Sequence, residues 1–94
     1  MITRIVVAGT DYIIDSVQFD GLPNVGDFIN YRVDDHIQTC AIALTLKVTA
    51  RTWELSDNKC RAPELLLYVT ESGEQTRQYI KEELLKHSKK ARQV

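Results

Sequence analysis

Between residues 40 and 50 the side chains alternate without a break. Cys40, Ile42, Leu44, Leu46, Val48 and Ala50 fall on one parity. Thr45, Lys47, Thr49 and Arg51 fall on the other, with Ala41 and Ala43 between them. A period of two sends successive side chains to opposite faces of an extended backbone, so one face is apolar and the other polar. Wound as a helix, the same residues would scatter the threonines and Lys47 around the cylinder. The stretch from 37 to 55 therefore predicts one long strand. Strands seldom exceed about 10 residues, and a longer one tends to bend, which in a small barrel lets it serve both halves of the wall.

The rest of the chain fits around that strand. Residues 2–8 (ITRIVVA) are rich in β-branched side chains and read as a strand. After the turn residues Gly9, Thr10 and Asp11, residues 12–19 alternate again, with Ile13, Val17 and Phe19 sharing a face with Asp15. Residues 20–27 hold two glycines and Pro23, which makes a turn or compact loop. A third strand covers 28–33, with Ile29, Tyr31 and Val33 on one side. Asp34, Asp35 and His36 make the next turn. Residues 56–64 are a polar loop containing Pro63. Residues 65–70 (LLLYVT) are apolar on both parities, which predicts a strand covered on both faces, its second cover being the C-terminal helix or a neighbouring subunit.

From residue 72 the period changes. Ser72 and Gln75 fit a capping box, Glu74 sits in the first turn, and basic residues crowd the last turns. Ile80, Leu84, His87 and Ala91 form one stripe, widened by Tyr79 and Leu85. The reading is an α+β chain of 94 residues forming a single domain, 1–71 a β-rich body and 72–94 a C-terminal helix. The body is a five-stranded, mainly antiparallel curved sheet or small barrel, because every connection is too short for a crossover helix. The expected core is Val6, Val17, Ile29, Ile42, Leu44, Leu46, Val48, Leu66 and Ile80.

Charge and cysteines narrow the function. Residues 1–71 carry a net charge of −4 and residues 72–94 a net of +3. An acidic body repels a nucleic-acid backbone, which leaves Lys86, Lys89, Lys90 and Arg92 on the helix as the candidate phosphate contacts. Cys40 and Cys60 have neither zinc-like nor disulfide-framework spacing, and read as reduced thiols of a cytoplasmic protein. No apolar run has the length of a membrane helix, and residues 5–8 are too short for the apolar core of a secretory signal.

Few residues suggest chemistry. Asp34, Asp35 and His36 form the one cluster of metal-capable side chains, and as neighbours in a turn they read as a polar hairpin tip. No nucleophile–base arrangement or phosphate-binding glycine loop occurs, so neither cofactor nor catalytic residues are assigned. Asp15 stands on an otherwise apolar parity. A buried carboxylate must find partners or take up a proton, so Asp15 marks a bulge, a flip of parity, an ion pair with Arg32 or Arg51, or a polar group inside a pocket. Tyr31 and Trp53 join Asp15 as candidate ligand-binding residues, aromatic groups on a curved sheet being suited to line an apolar cavity.

The run QFDGLPNVGDFINYRV at 18–33, followed by a polar turn and the long alternating strand, resembles small barrels of uncharacterised phage-type and integron-cassette-type proteins. There a hydrophobe, Leu-Pro and Gly-Asp lead into a strand. The resemblance implies a compact β fold from a mobile element and assigns no catalytic residues. The leading functional expectation is a non-enzymatic binding or assembly module acting as a homo-oligomer. The alternatives are a small-molecule-binding barrel or minor enzyme around Asp15, Tyr31 and Trp53, and nucleic-acid contact through the basic helix.

Overall fold

A computed structural model describes the backbone of residues 2–34 and 41–92, and the side chains of residues 2–33 and 42–87. Its elements are β1 (Ile2–Val7), β2 (Ile13–Gln18), β3 (Phe28–Asp34), β4 (Ala41–Glu54), β5 (Glu64–Ser72) and α1 (Glu74–Arg92). The long alternating segment is one 14-residue strand. Asp35, His36, Cys40 and the start of the segment expected from 37 lie outside the described residues.

The strands form one sheet in the order β2-β1-β5-β4-β3. Short connections make β1 with β2, β3 with β4 and β4 with β5 antiparallel neighbours. The pair of β1 with the middle strand β5 is parallel. These are the first and last strands of the chain, so β2 to β4 together supply the long return path a parallel pair requires. The sheet is mixed, antiparallel in all pairings but this one.

The sheet curls. With strands about 4.8 Å apart, four steps would put the edge strands β2 and β3 about 19 Å from each other in a flat sheet. Instead the Tyr31 hydroxyl on β3 lies 2.6 Å from a carboxylate oxygen of Asp15 on β2. The result is a half-barrel whose apolar face is wrapped inside. At its centre Ile5, Leu44, Leu46, Val48, Leu67 and Val69 are 0–1% exposed. Val17, Ile29 and Ile42 pack against them from the rim, half-buried. Val6, Leu66 and Ile80 are buried as expected, but the centre holds more of β1 and β5 than the expected core named. β5 is the middle strand, which is why Leu65, Leu66, Leu67 and Val69 are buried on both parities.

Two irregularities reset the alternation. In β1–β2, Ile5 faces Asp15 and Val6 faces Ile13, leaving Ile14 as an extra residue. Past this bulge the parity flips: Ile14 packs on the inner cluster and Ile13 is exposed. In β4–β5, Val48 faces Val69 and Ala50 faces Tyr68, so Thr49 is extra. Beyond it Arg51 and Trp53 oppose Leu67 and Leu65, which puts them on the inner parity rather than with Thr45 and Lys47.

α1 closes one end of the half-barrel. Tyr79 packs against the inner cluster, and the Thr76 hydroxyl accepts the Thr45 backbone N–H at 2.9 Å where β4 outruns its neighbour. The expected capping box at Ser72 does not form, because Ser72 is the last residue of β5 and the helix starts at Glu74. Between them Gly73 turns the chain at φ +92°, and its carbonyl accepts the first helical bond, from Arg77. A side chain there would be strained whatever the space around it.

Thr3 is the misfit of the interior. It is 1% exposed, between Val17 and Leu65 in the register, and its hydroxyl has no hydrogen-bond partner. An unpaired buried hydroxyl carries an uncompensated desolvation cost. Urea unfolding should therefore show Thr3→Val more stable than wild type by about 1 kcal/mol. In the same assay Leu67→Ala should lose about 2–5 kcal/mol; a destabilised Thr3→Val variant would contradict this account of the core.

Candidate functional site

Apart from Thr3, the part-buried polar groups Tyr12, Asp15 and Tyr31 gather where the two sheet edges meet near α1. The turn after β1 prepares the approach. Thr10 Oγ1 donates to the Val7 carbonyl at 2.8 Å and accepts the Tyr12 N–H at 3.1 Å. That fixes Tyr12 at the entrance to β2, where its ring meets His87 of α1 edge-on, centroids 5.8 Å apart. His87 Nε2 lies 3.6 Å from a carboxylate oxygen of Asp11.

Asp15 is satisfied on both oxygens. One accepts its neighbour Ser16's N–H at 2.7 Å, the other the Tyr31 hydroxyl at 2.6 Å. Neither Arg32 nor Arg51 is its partner in this pair. The bond has a direct effect on Tyr31. Donating to a carboxylate, and to a lesser degree being buried, pushes its phenol up to about 12. Tyr12 and Tyr79 are also raised, mainly by burial and then by the charge of Glu83. The shifts delay ionisation of the three phenols at alkaline pH and change nothing near neutrality, where a phenol is protonated in any case. Of the three, Tyr31 donates its hydroxyl proton to Asp15.

The sequence named Asp15, Tyr31 and Trp53 together. The structure brings the first two into contact and leaves Trp53 elsewhere. Tyr31 faces Leu44 in the register and Trp53 faces Leu65, so nine residues of β4, about 30 Å of extended chain, separate their levels. Trp53 is 47% exposed at the end away from α1. Of the candidate phosphate contacts, Lys86 is exposed and pairs with Glu83 at 3.5 Å. The side chains of Lys89, Lys90 and Arg92 lie outside the described residues. Among the described residues there is no group of three or more His, Cys, Asp or Glu placed to hold a metal, and no helix is long and apolar enough to cross a membrane.

Sequence reasoning missed a cleft of about 410 Å³ between α1 and the ends of β1 and β5. Val7, Ala8, Ile80 and Leu84 give it apolar walls, while Glu71, Arg77 and Lys81 stand at its side. Arg77 and Lys81 are one helical turn apart, a spacing visible in sequence, but the strand ends that face them depend on the β1–β5 pairing. No family model, curated protein or solved structure matches the chain, so the functional reading rests on this geometry.

The Tyr31–Asp15 bond makes a quantitative prediction. A double-mutant cycle of Tyr31→Phe and Asp15→Ala, followed by urea unfolding, should give a coupling of about 1.5–3 kcal/mol at pH 7, the range for a hydrogen bond to a charged group. The pH dependence follows from the raised phenol. Folding favours protonated Tyr31, so its contribution is intact below the ordinary value of 10.0 and is lost as pH rises towards about 12. Tyr31→Phe should lack that part of the alkaline loss and keep the part due to Tyr12 and Tyr79. Superimposable alkaline profiles for the two proteins would contradict the bond.

Proposed function

We propose that the protein is a non-enzymatic binding and assembly module that works as a homo-oligomer in the cytoplasm. One observation supports this reading above the others: the two ends of the half-barrel are unequal. α1 covers one end. At the other, β1 starts with Ile2, β3 starts with Phe28, and β4 runs out through Trp53 to Leu55. All four are exposed, Phe28 at 61% and Leu55 at 76%, and Val25 of the adjoining loop is exposed with them. Ile13 and Leu85 are exposed at the α1 end, but more of the large exposed hydrophobes stand at this one, and exposed apolar side chains in number are what an interaction surface requires. A chain this short buries a modest share of its surface alone, so an interface adds stability where the fold needs it.

A second reading draws on the cleft beneath α1, whose volume is in the range of small-ligand sites and whose walls are mainly apolar with a few charged groups. It keeps the small-molecule alternative but moves it away from Asp15, Tyr31 and Trp53.

Sedimentation velocity from low to high micromolar concentration tests the first reading. The expected result is a reversible rise in sedimentation coefficient from monomer to a defined oligomer. A clean monomer across the range contradicts it.

A further inference from the structure

β4 is longer than its neighbour on one side. β3 begins at Phe28 opposite Lys47, and two backbone bonds from the preceding loop extend the cover by one residue: Gly26 N–H to the Val48 carbonyl, and Val48 N–H to the Asp27 carbonyl. Past Val48, β4 continues paired to β5 as far as Glu54, and among the described residues no backbone bond reaches its other edge. The direction of its groups can be counted. Val48 presents both its N–H and its carbonyl to the β3 side. Thr49 is the bulge residue, after which Ala50, Thr52 and Glu54 take the β5 side in alternation. Arg51 and Trp53 are left with outward-facing N–H and carbonyl groups. An unpaired edge of this kind is a template for another strand.

We infer that this edge, residues 50–54 of β4, pairs antiparallel with the same edge of a second copy of the chain about a two-fold axis at Thr52. The inference rests on the homo-oligomer reading above and names its surface. The sequence selects the register. Outward groups meet outward groups only when the axis passes through a residue. An axis at Arg51 sets guanidinium against guanidinium, which is unfavourable directly across a strand pair. An axis at Trp53 pairs Arg51 with Leu55, beyond the end of the strand. An axis at Thr52 sets each Arg51 against Trp53 of the other copy, with four backbone hydrogen bonds between them. Arg51 and Trp53 share a face within each copy, so two guanidinium–indole contacts form on that face. On the other face Ala50 opposes Glu54 and Thr52 opposes Thr52, so no like charges meet. Arg51 now donates one bond to Asn24 Oδ1, at 3.2 Å, and its fork has further donors to spare. The apolar ends of two half-barrels are thereby brought side by side.

Charge exchange across this register is the test, read by sedimentation equilibrium on the full chain, with circular dichroism to verify that each variant is folded. W53K sets a lysine against Arg51 in both halves of the interface and should weaken dimerisation at least about tenfold. R51E/W53K sets a glutamate against a lysine twice and should recover most of that loss. In a C40S/C60S background, T52C should form a disulfide-linked dimer on mild oxidation, because directly opposed residues of a non-hydrogen-bonded pair lie about 4.5 Å apart at Cα. This arm needs neither Arg51 nor Trp53 to be altered. A wild-type dimer that W53K does not weaken and T52C does not cross-link overturns this interface and leaves self-association standing. A wild-type monomer at high micromolar concentration overturns both.

Discussion

The curl of the sheet is the constraint on which everything else depends. Five strands carrying one apolar face cannot shield that face as a flat layer with a single helix packed at one end. Curling lets the sheet act as its own second layer, so that Ile29, Tyr31 and Val33 from one edge and Ile14, Val17 and Phe19 near the other pack on the same central cluster. The Tyr31–Asp15 bond spans the seam between the edges. It is a polar contact, but it forms where backbone pairing stops, and it satisfies a carboxylate that curling has drawn inward. The two bulges belong to the same geometry, since an extra residue bends and twists the strand that carries it.

How far the sequence reveals this depends on the range of the interaction. Alternation placed Leu44, Leu46 and Val48 inside and made Asp15 the odd residue on an apolar parity, and both readings hold in the structure. Tyr31 was placed on the same side as Ile29 and Val33, and it packs there. The partner of Asp15 was not legible, because the candidates were cations and the answer was a neutral phenol from the opposite edge of the sheet. Trp53 was grouped with Asp15 and Tyr31 because alternation gives a residue's face and not its level: the bulge at Thr49 does bring Trp53 to the inner parity, but it stands nine residues of β4 from the level of Tyr31. Ser72 was read as a helix cap because its local pattern fits one, yet pairing with β4 draws it into β5. The parallel pairing of β1 with β5 lies furthest from local signals, since it joins the two ends of the β body.

The same geometry makes the two ends of the molecule unlike. At the α1 end the polar groups are mutually engaged, with Tyr12 near Glu83 and His87, Tyr31 on Asp15, and Thr76 on the Thr45 backbone. At the far end the apolar side chains lack such cover, and β4 leaves part of its edge bare. Under the proposed function the bare edge of β4 is where the sheet is extended, a mode in which backbone bonds supply affinity and side chains supply register.

The curl itself is most directly tested by nuclear Overhauser effects between the Tyr31 ring and the Ile14 and Asp15 side chains of the full chain. These protons belong to strands at opposite edges of the sheet order and approach one another only if the sheet is wrapped. The account predicts clear cross-peaks between them, together with a slowly exchanging Tyr31 hydroxyl proton shifted downfield by its carboxylate acceptor. Sequential and neighbouring-strand contacts without any between β2 and β3 would describe an open sheet and contradict it.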